Sequence, residues 1–292
     1  MINKTKYFLF SFVPKRFRKI LKNFYYDFIA YPLHALKNRY FYGVPDFFDG
    51  IALETTTYCN LRCEFCPNSK YPRGLKKNTK LMDLHLIKKI INELSEIRFR
   101  GRVFLHFYGE PLTDERLPEI LSYIKKKLPK NPVQINTNGF LLTLDKYKQL
   151  IKLGVDKFMV SQYGKTMPVP IKKILDYLKN KPKNQNKIHY RVFNENSSGI
   201  STRGGEIALE HAIDFERPIC TYPGVALSIN YAGDVMVCCN DYHHTMDVGN
   251  LKKESLMEIW KKPKYVKFRK DLRNKKFLLP ICKLCVGKNE KT

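Results

Sequence analysis

From Gly50 onward, the apolar residues alternate between short continuous runs and longer runs that repeat every three or four positions. The short runs predict β-strands, and the longer runs predict amphipathic helices between them. Strands that alternate with helices predict a parallel sheet, whose ligands bind beyond the carboxyl ends of its strands. Five strands are predicted at Ile51–Thr57, Val103–Phe107, Val133–Thr137, Lys157–Ser161 and Ile188–Phe193. Helices are predicted at Leu81–Ile97, Asp114–Leu128, Leu144–Leu153 and Ile171–Leu178.

The last quarter of the chain has a different pattern. Val225–Asn230 and Val235–Cys238 flank a glycine-containing turn and predict a β-hairpin, and a helix is predicted around Ser255–Trp260. Between residues 194 and 220 the sequence shows no convincing sixth strand. The pattern therefore predicts an α/β fold: a partial (β/α) barrel of about five or six parallel strands, with a small C-terminal domain that contains the hairpin.

The first 48 residues interleave aromatic residues with lysines and arginines at roughly helical spacing. One interpretation is an interfacial helix on anionic lipid, and the one we favour is a helical extension packed on the domain. The apolar run Tyr7–Val13 is too short to span a bilayer, and no small-residue cleavage site follows it. We expect an N-terminal extension at 1–48, a barrel at 49–215 and a C-terminal domain at 216–292.

Three cysteines follow the first predicted strand with Cys-x3-Cys-x2-Cys spacing: Cys59, Cys63 and Cys66. A four-iron cluster held by three thiolates keeps one iron open for a small molecule. Zinc is the alternative, but zinc sites usually close with Cys-x2-Cys pairs and a nearby fourth ligand, which does not follow Cys66. The spacing, with an aromatic residue at Phe65, resembles the radical S-adenosylmethionine (SAM) superfamily.

This resemblance implies a barrel of the radical SAM type and a [4Fe-4S] cluster that binds SAM. In the family, the amino and carboxylate groups of SAM chelate the open iron, and an electron from the reduced cluster cleaves the sulfonium. The resulting 5'-deoxyadenosyl radical abstracts a hydrogen atom from the substrate. The cofactor carries this chemistry while the protein orients it.

Residues after successive strands resemble the family's SAM-binding turns. The tripeptide Tyr108-Gly109-Glu110 resembles the Gly-Gly-Glu motif that holds the methionine amino group, with Tyr108 as a departure, and Thr137-Asn138 matches a Thr-Asn-Gly turn. Each turn alone is common loop chemistry, but their order after successive strands makes the set specific. The resemblance assigns cofactor binding to Phe65, Tyr108, Gly109, Glu110, Thr137, Asn138, Ser161, Gln162 and Arg191.

A second group of cysteines surrounds the predicted hairpin and C-terminal helix, and it resembles the SPASM or shorter Twitch extension of radical SAM proteins. Five cysteines can fill one four-iron cluster but not two, so we expect a single auxiliary [4Fe-4S] cluster; a zinc ribbon is the alternative. The expected ligands are Cys220, Cys238, Cys282 and Cys285.

Cys238 and Cys239 are adjacent at a strand end, where successive side chains point in opposite directions. Only one of them can readily join the cluster, and which one does so stays open. The remaining thiol, taken as Cys239, is a candidate hydrogen-atom donor to a substrate radical. The alternative is a buried small hydrophobic residue.

The formal net charge is +26, which ordinarily indicates nucleic acid or anionic membrane as a partner. Lysine is spread along the whole chain, however, and the composition is also typical of an AT-rich genome, which argues against nucleic-acid binding. A basic surface would also attract an acidic flavodoxin or ferredoxin, the electron donor that cluster reduction needs. Clustered cysteines in a long chain indicate metal in a reducing compartment, so we expect the cytoplasm.

The length, the short barrel and the single auxiliary cluster resemble radical SAM enzymes that act on sugars or aminocyclitols. The expected reaction is therefore hydrogen abstraction followed by oxidation or epimerisation of a ring carbon of a small molecule. The histidines at 106, 189, 243 and 244 are candidate bases, although no motif marks one of them. The alternatives are a peptide-modifying maturase, a nucleic-acid-modifying enzyme and a non-catalytic electron-transfer protein.

Overall fold

The computed structural model describes residues 24–25, 28–29, 31–164, 166–193, 202–207 and 220–286. By its contacts the chain divides into two units, Met1–Phe47 and Phe48–Thr292. In the first unit, helix α1 is Tyr31–Tyr42. Most of the segment 1–48, to which the interfacial or packed helix was assigned, lies outside the described residues at 1–23, and so does the predicted boundary at 215–216. None of the helices in these ranges is long and apolar enough to cross a bilayer.

The second unit contains one seven-stranded sheet with the strand order β5-β4-β3-β2-β1-β6-β7. All neighbours pair in parallel except β6 and β7, which are antiparallel. The two outermost described strands, β5 and β7, do not pair with each other, so the sheet stays open as a partial barrel. The strands are β1 Gly50–Leu53, β2 Arg102–Leu105, β3 Val133–Thr137, β4 Lys157–Gln162, β5 Ile188–Val192, β6 Ala226–Ile229 and β7 Val235–Met236.

The helices between the strands confirm the predicted β/α alternation. Polar side chains begin two of them: Asp83 accepts a hydrogen bond from the His85 amide, and Thr143 accepts one from the Lys146 amide. The helices are α2 Pro67–Lys70, α3 Leu84–Glu96, α4 Leu117–Lys127, α5 Leu144–Lys152, α6 Val169–Lys179, α7 Pro182–Gln185, α8 Tyr222–Val225, α9 Leu256–Lys261, α10 Pro263–Arg273 and α11 Pro280–Cys285.

The two faces of the sheet differ in chemistry. One face carries fully buried aliphatic and aromatic residues such as Ile51, Val103 and Phe158, and the connecting helices bury their own apolar stripes. The opposite face, here called the inner face, is mixed: it carries small or polar residues such as Ala52 and Asn136 beside Phe104 and Met159. The core therefore lies between sheet and helices, and the inner face is left for a ligand.

The predicted hairpin is confirmed, and it belongs to the same sheet as the barrel strands. Its first strand, β6, pairs in parallel with β1 from Gly50↔Ala226 to Leu53↔Ile229. The turn after β6 therefore lies against the end of β1, where the Tyr231 amide donates to the carboxylate of Glu54 (3.2 Å). This pairing brings the C-terminal region next to the loop that carries the first three cysteines.

Candidate active site

The first three cysteines lie together in the loop after β1. All three are half-buried, and the Cys66 amide donates to the Cys63 carbonyl (2.9 Å). Burial, together with the neighbouring thiols of Cys66 and Cys59, raises the pKa of Cys63 to about 12. Burial also raises the pKa of Cys59 to about 11. A bound cation favours the ionised form of such thiols, and three thiolates are a donor set that suits an iron–sulfur cluster.

Glu110 connects the motif after β2 with the turn after β3. Its buried carboxylate accepts hydrogen bonds from the Thr137 hydroxyl (2.7 Å) and from the Asn138 amide (2.9 Å). The Asn138 side chain in turn donates to Asn60 (2.8 Å) and lies 4.0 Å from the Cys59 sulfur. Burial raises the pKa of Glu110 to about 6. The structure thus brings Glu110, Thr137 and Asn138 together beside the first cysteine, as their predicted role requires.

Gly109 lies in the loop after β2, where this loop passes close to the backbone that begins the cysteine loop. A Cβ atom at this position would be 1.9 Å from the Thr56 carbonyl oxygen, and the next residue's amide donates to the Tyr58 carbonyl (2.8 Å). No side chain fits in that space. The glycine of the motif is therefore explained by close backbone approach.

An aromatic wall continues from the cysteine loop to the last two barrel strands. The Phe65 ring lies 4.8 Å from that of Tyr163, which stacks on Phe193 at 5.4 Å. The Arg191 guanidinium lies 5.6 Å from the Phe193 ring centroid. Tyr163 and Phe193 were missed in the sequence because a single aromatic residue after a strand carries no motif.

Ser161 and Gln162 follow each other on β4 and therefore occupy opposite faces of the sheet. Ser161 pairs with Arg191 on the inner face, and the contact of each with SAM stays a prediction. The side chain of Gln162 instead contacts the Tyr190 hydroxyl and the Gly164 carbonyl on the other face. The contact of Gln162 with SAM stays a prediction.

The second group of cysteines lines one cavity. Burial, together with the neighbouring thiols of Cys220 and Cys285, raises the pKa of the Cys282 thiol to about 12. The pKa of Cys238 is raised well above its ordinary value, mainly by burial, and Cys282 is among the neighbouring groups that contribute to the rise. The cavity is lined by Cys220, Cys238, Cys239, Cys282 and Cys285, together with Tyr222, Pro223, Phe268 and Ile281. Five thiols around one apolar-walled cavity fit a cluster of the predicted kind.

Cys239 differs from the other four cysteines because its side chain is exposed, whereas theirs are half-buried. Its neighbour Cys238 lies beside Cys282, as a ligand of the same cluster would. These positions agree with Cys238 as the ligand, and the assignment stays a prediction. Within the described residues, no three His, Cys, Asp or Glu side chains are close enough to hold a single metal ion.

Tyr108 joins the two cysteine regions. Its hydroxyl donates to the Cys239 carbonyl (3.0 Å), and its own carbonyl accepts from the Asn68 side chain (3.0 Å) just after Cys66. The Tyr242 hydroxyl donates to the other end of Asn68 (3.0 Å), and its ring meets that of Tyr108 edge-on at 4.8 Å. The tyrosine that replaces the family's first glycine therefore has a structural role: it ties the SAM-binding motif to the second cysteine group.

Glu54 and Arg73 form a buried ion pair beneath this junction. The Glu54 side chain is 1% exposed, and the Arg73 guanidinium lies over the rings of Tyr242 (4.9 Å) and Tyr231 (5.5 Å). Burial raises the pKa of Glu54, and the charge of Arg73 counteracts the rise. Sequence reasoning missed both residues, although a glutamate at the end of an apolar strand was a usable signal.

Arg203 is a further residue that sequence reasoning missed. Burial raises the pKa of four nearby groups, and the positive charge of Arg203 opposes the rise in each of them. The charge of Arg203 therefore lies near the first cysteine loop and near Tyr108 and Tyr163. The four groups are the side chains of Cys63, Cys66, Tyr108 and Tyr163.

A chain of hydrogen bonds on the inner face determines which ring nitrogen of His106 accepts a hydrogen bond. Arg102 donates to Gln134 Oε1 (3.2 Å), Gln134 Nε2 donates to Asn136 Oδ1 (2.7 Å), and the Asn136 amide nitrogen lies 3.1 Å from His106 Nε2. A guanidinium only donates, so each amide must accept from the previous residue and donate to the next. His106 Nε2 therefore accepts, and burial lowers the pKa of His106 to about 4. The hydrogen bond to Nε2 and the lowered pKa both argue against His106 as the catalytic base.

Comparisons with known proteins agree with this geometry. The Radical SAM superfamily profile matches residues 53–164, and the profile of SPASM, an iron–sulfur cluster-binding domain, matches residues 220–286. The chain is 30% identical over 239 residues, 82% of its length and 92% of the relative's, to the S-adenosyl-L-methionine-dependent 2-deoxy-scyllo-inosamine dehydrogenase of Niallia circulans. It is 41% identical over 123 residues, 42% of its length and 38% of the relative's, to a probable GTP 3',8-cyclase of Methanococcus maripaludis.

Among solved structures, the chain is similar to BtrN in complex with AdoMet and 2-DOIA, with a TM-score of 0.72 and 29% identity over 81% of this chain and 92% of that one. Fold and site together define an iron–sulfur enzyme with a partial barrel and an auxiliary cluster domain. The chain belongs to the radical SAM superfamily. It binds a [4Fe-4S] cluster and SAM, and its SPASM domain is an auxiliary iron–sulfur cluster domain, which disfavours both zinc alternatives.

Proposed function

We propose that this enzyme oxidises a secondary alcohol carbon of a small polyhydroxylated ring, an aminocyclitol or a sugar, to a ketone. The observation that carries the proposal is the extent of one similarity: the relative named for 2-deoxy-scyllo-inosamine is matched along 92% of its length, through both cysteine regions. The cyclase match covers 38% of its relative and so supports the barrel alone. An aminocyclitol or sugar is therefore favoured over a peptide or a nucleic acid.

Oxidation of an alcohol carbon removes one hydrogen atom, one proton and one electron. When bound, SAM and its cluster supply the hydrogen-abstracting radical, and the auxiliary cluster supplies an electron acceptor. The chain holds these groups with Cys59, Cys63 and Cys66 in the first region and with Cys220, Cys238, Cys282 and Cys285 in the second. Glu110 accepts a hydrogen bond from the methionine amino group in this proposal, because its carboxylate lies beside the first cysteine.

Arg203 binds a substrate oxygen in this proposal. Its charge reaches the first cysteine loop and Tyr108, which itself contacts the second cysteine region. A fixed guanidinium there offers several N–H donors to hydroxyl or carbonyl oxygen. An acidic flavodoxin or ferredoxin is the proposed electron donor, and the reducing cytoplasm is the proposed compartment.

The test is turnover of 2-deoxy-scyllo-inosamine with deuterium on its ring carbons by the anaerobically reconstituted enzyme. We expect 5'-deoxyadenosine that contains deuterium, and one ketone formed per SAM cleaved. SAM cleavage without deuterium transfer or ketone, for this compound and for a panel of related sugars, would contradict the proposal.

Epimerisation is the second candidate, and the exposure of Cys239 favours it. An epimerase needs a group that returns a hydrogen atom from the opposite face, and an exposed thiol beside the cluster cavity is a suitable donor. In D2O an epimerase would give a product with inverted configuration and one solvent deuterium, whereas a dehydrogenase gives a ketone. Cys239→Ser should then stop the inversion while deoxyadenosine still forms.

The same variant tests the auxiliary ligands. Because Cys238 lies beside Cys282, Cys238→Ser should lower the iron content from about eight to about four per chain, whereas Cys239→Ser should keep it. Iron analysis with Mössbauer spectroscopy measures both variants. The opposite result would make Cys239 the ligand.

A further inference from the structure

The turn Thr202–Ile207 holds Arg203 in an unusual backbone conformation. Arg203, Gly204 and Gly205 have φ angles of 53°, 69° and 93°, so three successive residues are left-handed. The turn is closed by the amides of Gly205 and Ile207, which both donate to the Thr202 carbonyl (3.1 and 2.9 Å). A left-handed arginine is disfavoured unless its surroundings hold it there.

One wall of these surroundings is helix α11, which carries Cys282 and Cys285. A Cβ atom on Gly204 would lie 2.4 Å from the Ile281 side chain, and one on Gly205 would lie 2.5 Å from that of Leu284. The backbone of the turn is therefore in direct contact with the helix of the auxiliary cluster. Only glycine permits this approach.

The other wall is the first cysteine region, and Glu206 makes the contacts. Its carboxylate accepts a hydrogen bond from the Tyr71 hydroxyl (3.0 Å) and pairs with His243 Nε2 (3.0 Å), while its carbonyl accepts from Lys70 Nζ (2.7 Å). Lys70 ends the short helix that begins directly after Cys66. His243 follows Tyr242, whose ring stacks on that of Tyr71 at 5.2 Å. One side chain thus bonds to both cysteine-bearing regions.

We propose that Glu206 is a positioning residue that fastens the turn Thr202–Ile207 between the two cluster-bearing regions and so places Arg203 against the substrate. The inference rests on the proposed function for the role of Arg203, whereas the fastening itself rests on the contacts above. Arg203 lies three residues from Glu206 and makes its approach to the first cysteine loop only while the turn keeps its shape. Without the carboxylate, the contact with α11 remains but the bonds to Tyr71 and His243 are lost.

The fastening is tested on the anaerobically reconstituted protein with SAM, by hydrogen exchange and mass spectrometry of the peptide that spans 202–207. Glu206→Ala should raise exchange in this peptide about tenfold, the factor expected when a charge-assisted hydrogen bond is lost. Glu206→Gln should lie between it and the wild type, because the amide oxygen still accepts from Tyr71. The matched control is Glu96→Gln at the exposed end of α3, which should change nothing.

The positioning role is tested by kinetics with the aminocyclitol. Glu206→Ala should raise KM about tenfold and lower the ketone formed per deoxyadenosine, with full iron content. Arg203→Lys should show the same change, and the double variant should be no worse than Arg203→Lys alone, because both act through one contact. A purely structural residue would instead lower iron content or kcat and leave KM unchanged.

Exchange in Glu206→Ala equal to that of the control would overturn the fastening, and an unchanged KM at full iron content would overturn the positioning role. If Glu206→Ala loses iron, Tyr71→Phe and Glu206→Gln decide by the same exchange comparison. If the wild type does not oxidise the aminocyclitol, the proposed function fails, and the exchange experiment still decides the fastening.

Discussion

At the scale of single residues, Glu110 is a carboxylate whose burial destabilises its ionised form. Its carboxylate is almost fully buried, and three donors from Leu112, Thr137 and Asn138 surround it. Burial nevertheless dominates and raises the pKa to about 6. The ionised form of such a carboxylate is stabilised when a ligand brings a hydrogen-bond donor or a positive charge to it.

SAM affinity should therefore depend on pH through Glu110. The ionised carboxylate accepts from the methionine amino group, so affinity is full above the pKa and weakens as pH falls through about 6. Glu110→Gln should bind SAM about tenfold more weakly at pH 8, and the dependence near pH 6 should disappear. Equilibrium binding of SAM to the iron-loaded protein, followed from about pH 5.5 to about pH 8 in roughly half-unit steps, measures both effects. An unchanged pH profile in the variant would remove Glu110 from this role.

Gly109 is the residue at which a single methyl group should matter most. Its Cβ would meet the Thr56 carbonyl at 1.9 Å, so Gly109→Ala must displace the backbone that begins the cysteine loop. We expect loss of the SAM-binding cluster, about half of the iron, and no SAM cleavage, while the auxiliary cluster stays. Gly164→Ala is the matched control, because no atom lies within 4 Å of its Cβ position. Full iron in Gly109→Ala would show that the loop adapts.

At the scale of elements, the loops after β1, β2 and β7 are tied by side chains that point across the sheet edge. Asn68 lies after β1, Tyr108 after β2 and Tyr242 after β7. The Asn68 side chain donates to the Tyr108 carbonyl and accepts from the Tyr242 hydroxyl, while the Tyr108 hydroxyl donates to the Cys239 carbonyl. The junction makes the order of the second cysteine region dependent on that of the first. Such dependence is measurable as a coupling energy.

Tyr108→Phe and Tyr242→Phe should each lower the free energy of unfolding by about 1 kcal/mol, the usual net value of one hydrogen bond. The two hydroxyls bond to different partners, Cys239 and Asn68, but their rings contact each other edge-on. The double variant should therefore lose less than the sum, because losing either hydrogen bond loosens the ring that positions the other. Anaerobic urea unfolding of the reconstituted protein measures the cycle, with Tyr123→Phe, whose hydroxyl donates to Asn92, as the control. Strict additivity would mean that the two tyrosines act independently.

At the scale of the whole molecule, the sequence predicted the barrel well because each strand and helix carries a clear apolar period. Helix α10 was missed, since lysines and arginines outnumber its buried Tyr265, Phe268 and Leu272. The parallel pairing of β6 with β1 was also missed, because a hairpin motif says nothing about which other strand it joins.

The residues of the candidate site also fall into those that the sequence predicted and those that it did not. Motifs of fixed spacing, such as the cysteines and the Gly-Glu and Thr-Asn turns, were visible in the chain. Arg203, Glu206 and Tyr242 were not, because their roles arise only when segments more than a hundred residues apart meet. Tertiary contacts of this kind leave no local signal.

The net charge of the protein bears on how it binds its reductant. With a charge of +26, the enzyme should attract an acidic flavodoxin over distances that salt screens. Flavodoxin-driven SAM cleavage should slow about tenfold between roughly 0.02 and 0.5 M salt, where the Debye length becomes shorter than the gap between the proteins. Titanium citrate, a small anionic chelate, is the control, and its rate should change much less. Equal salt dependence with both reductants would place the effect in the enzyme itself and argue against electrostatic docking of the donor.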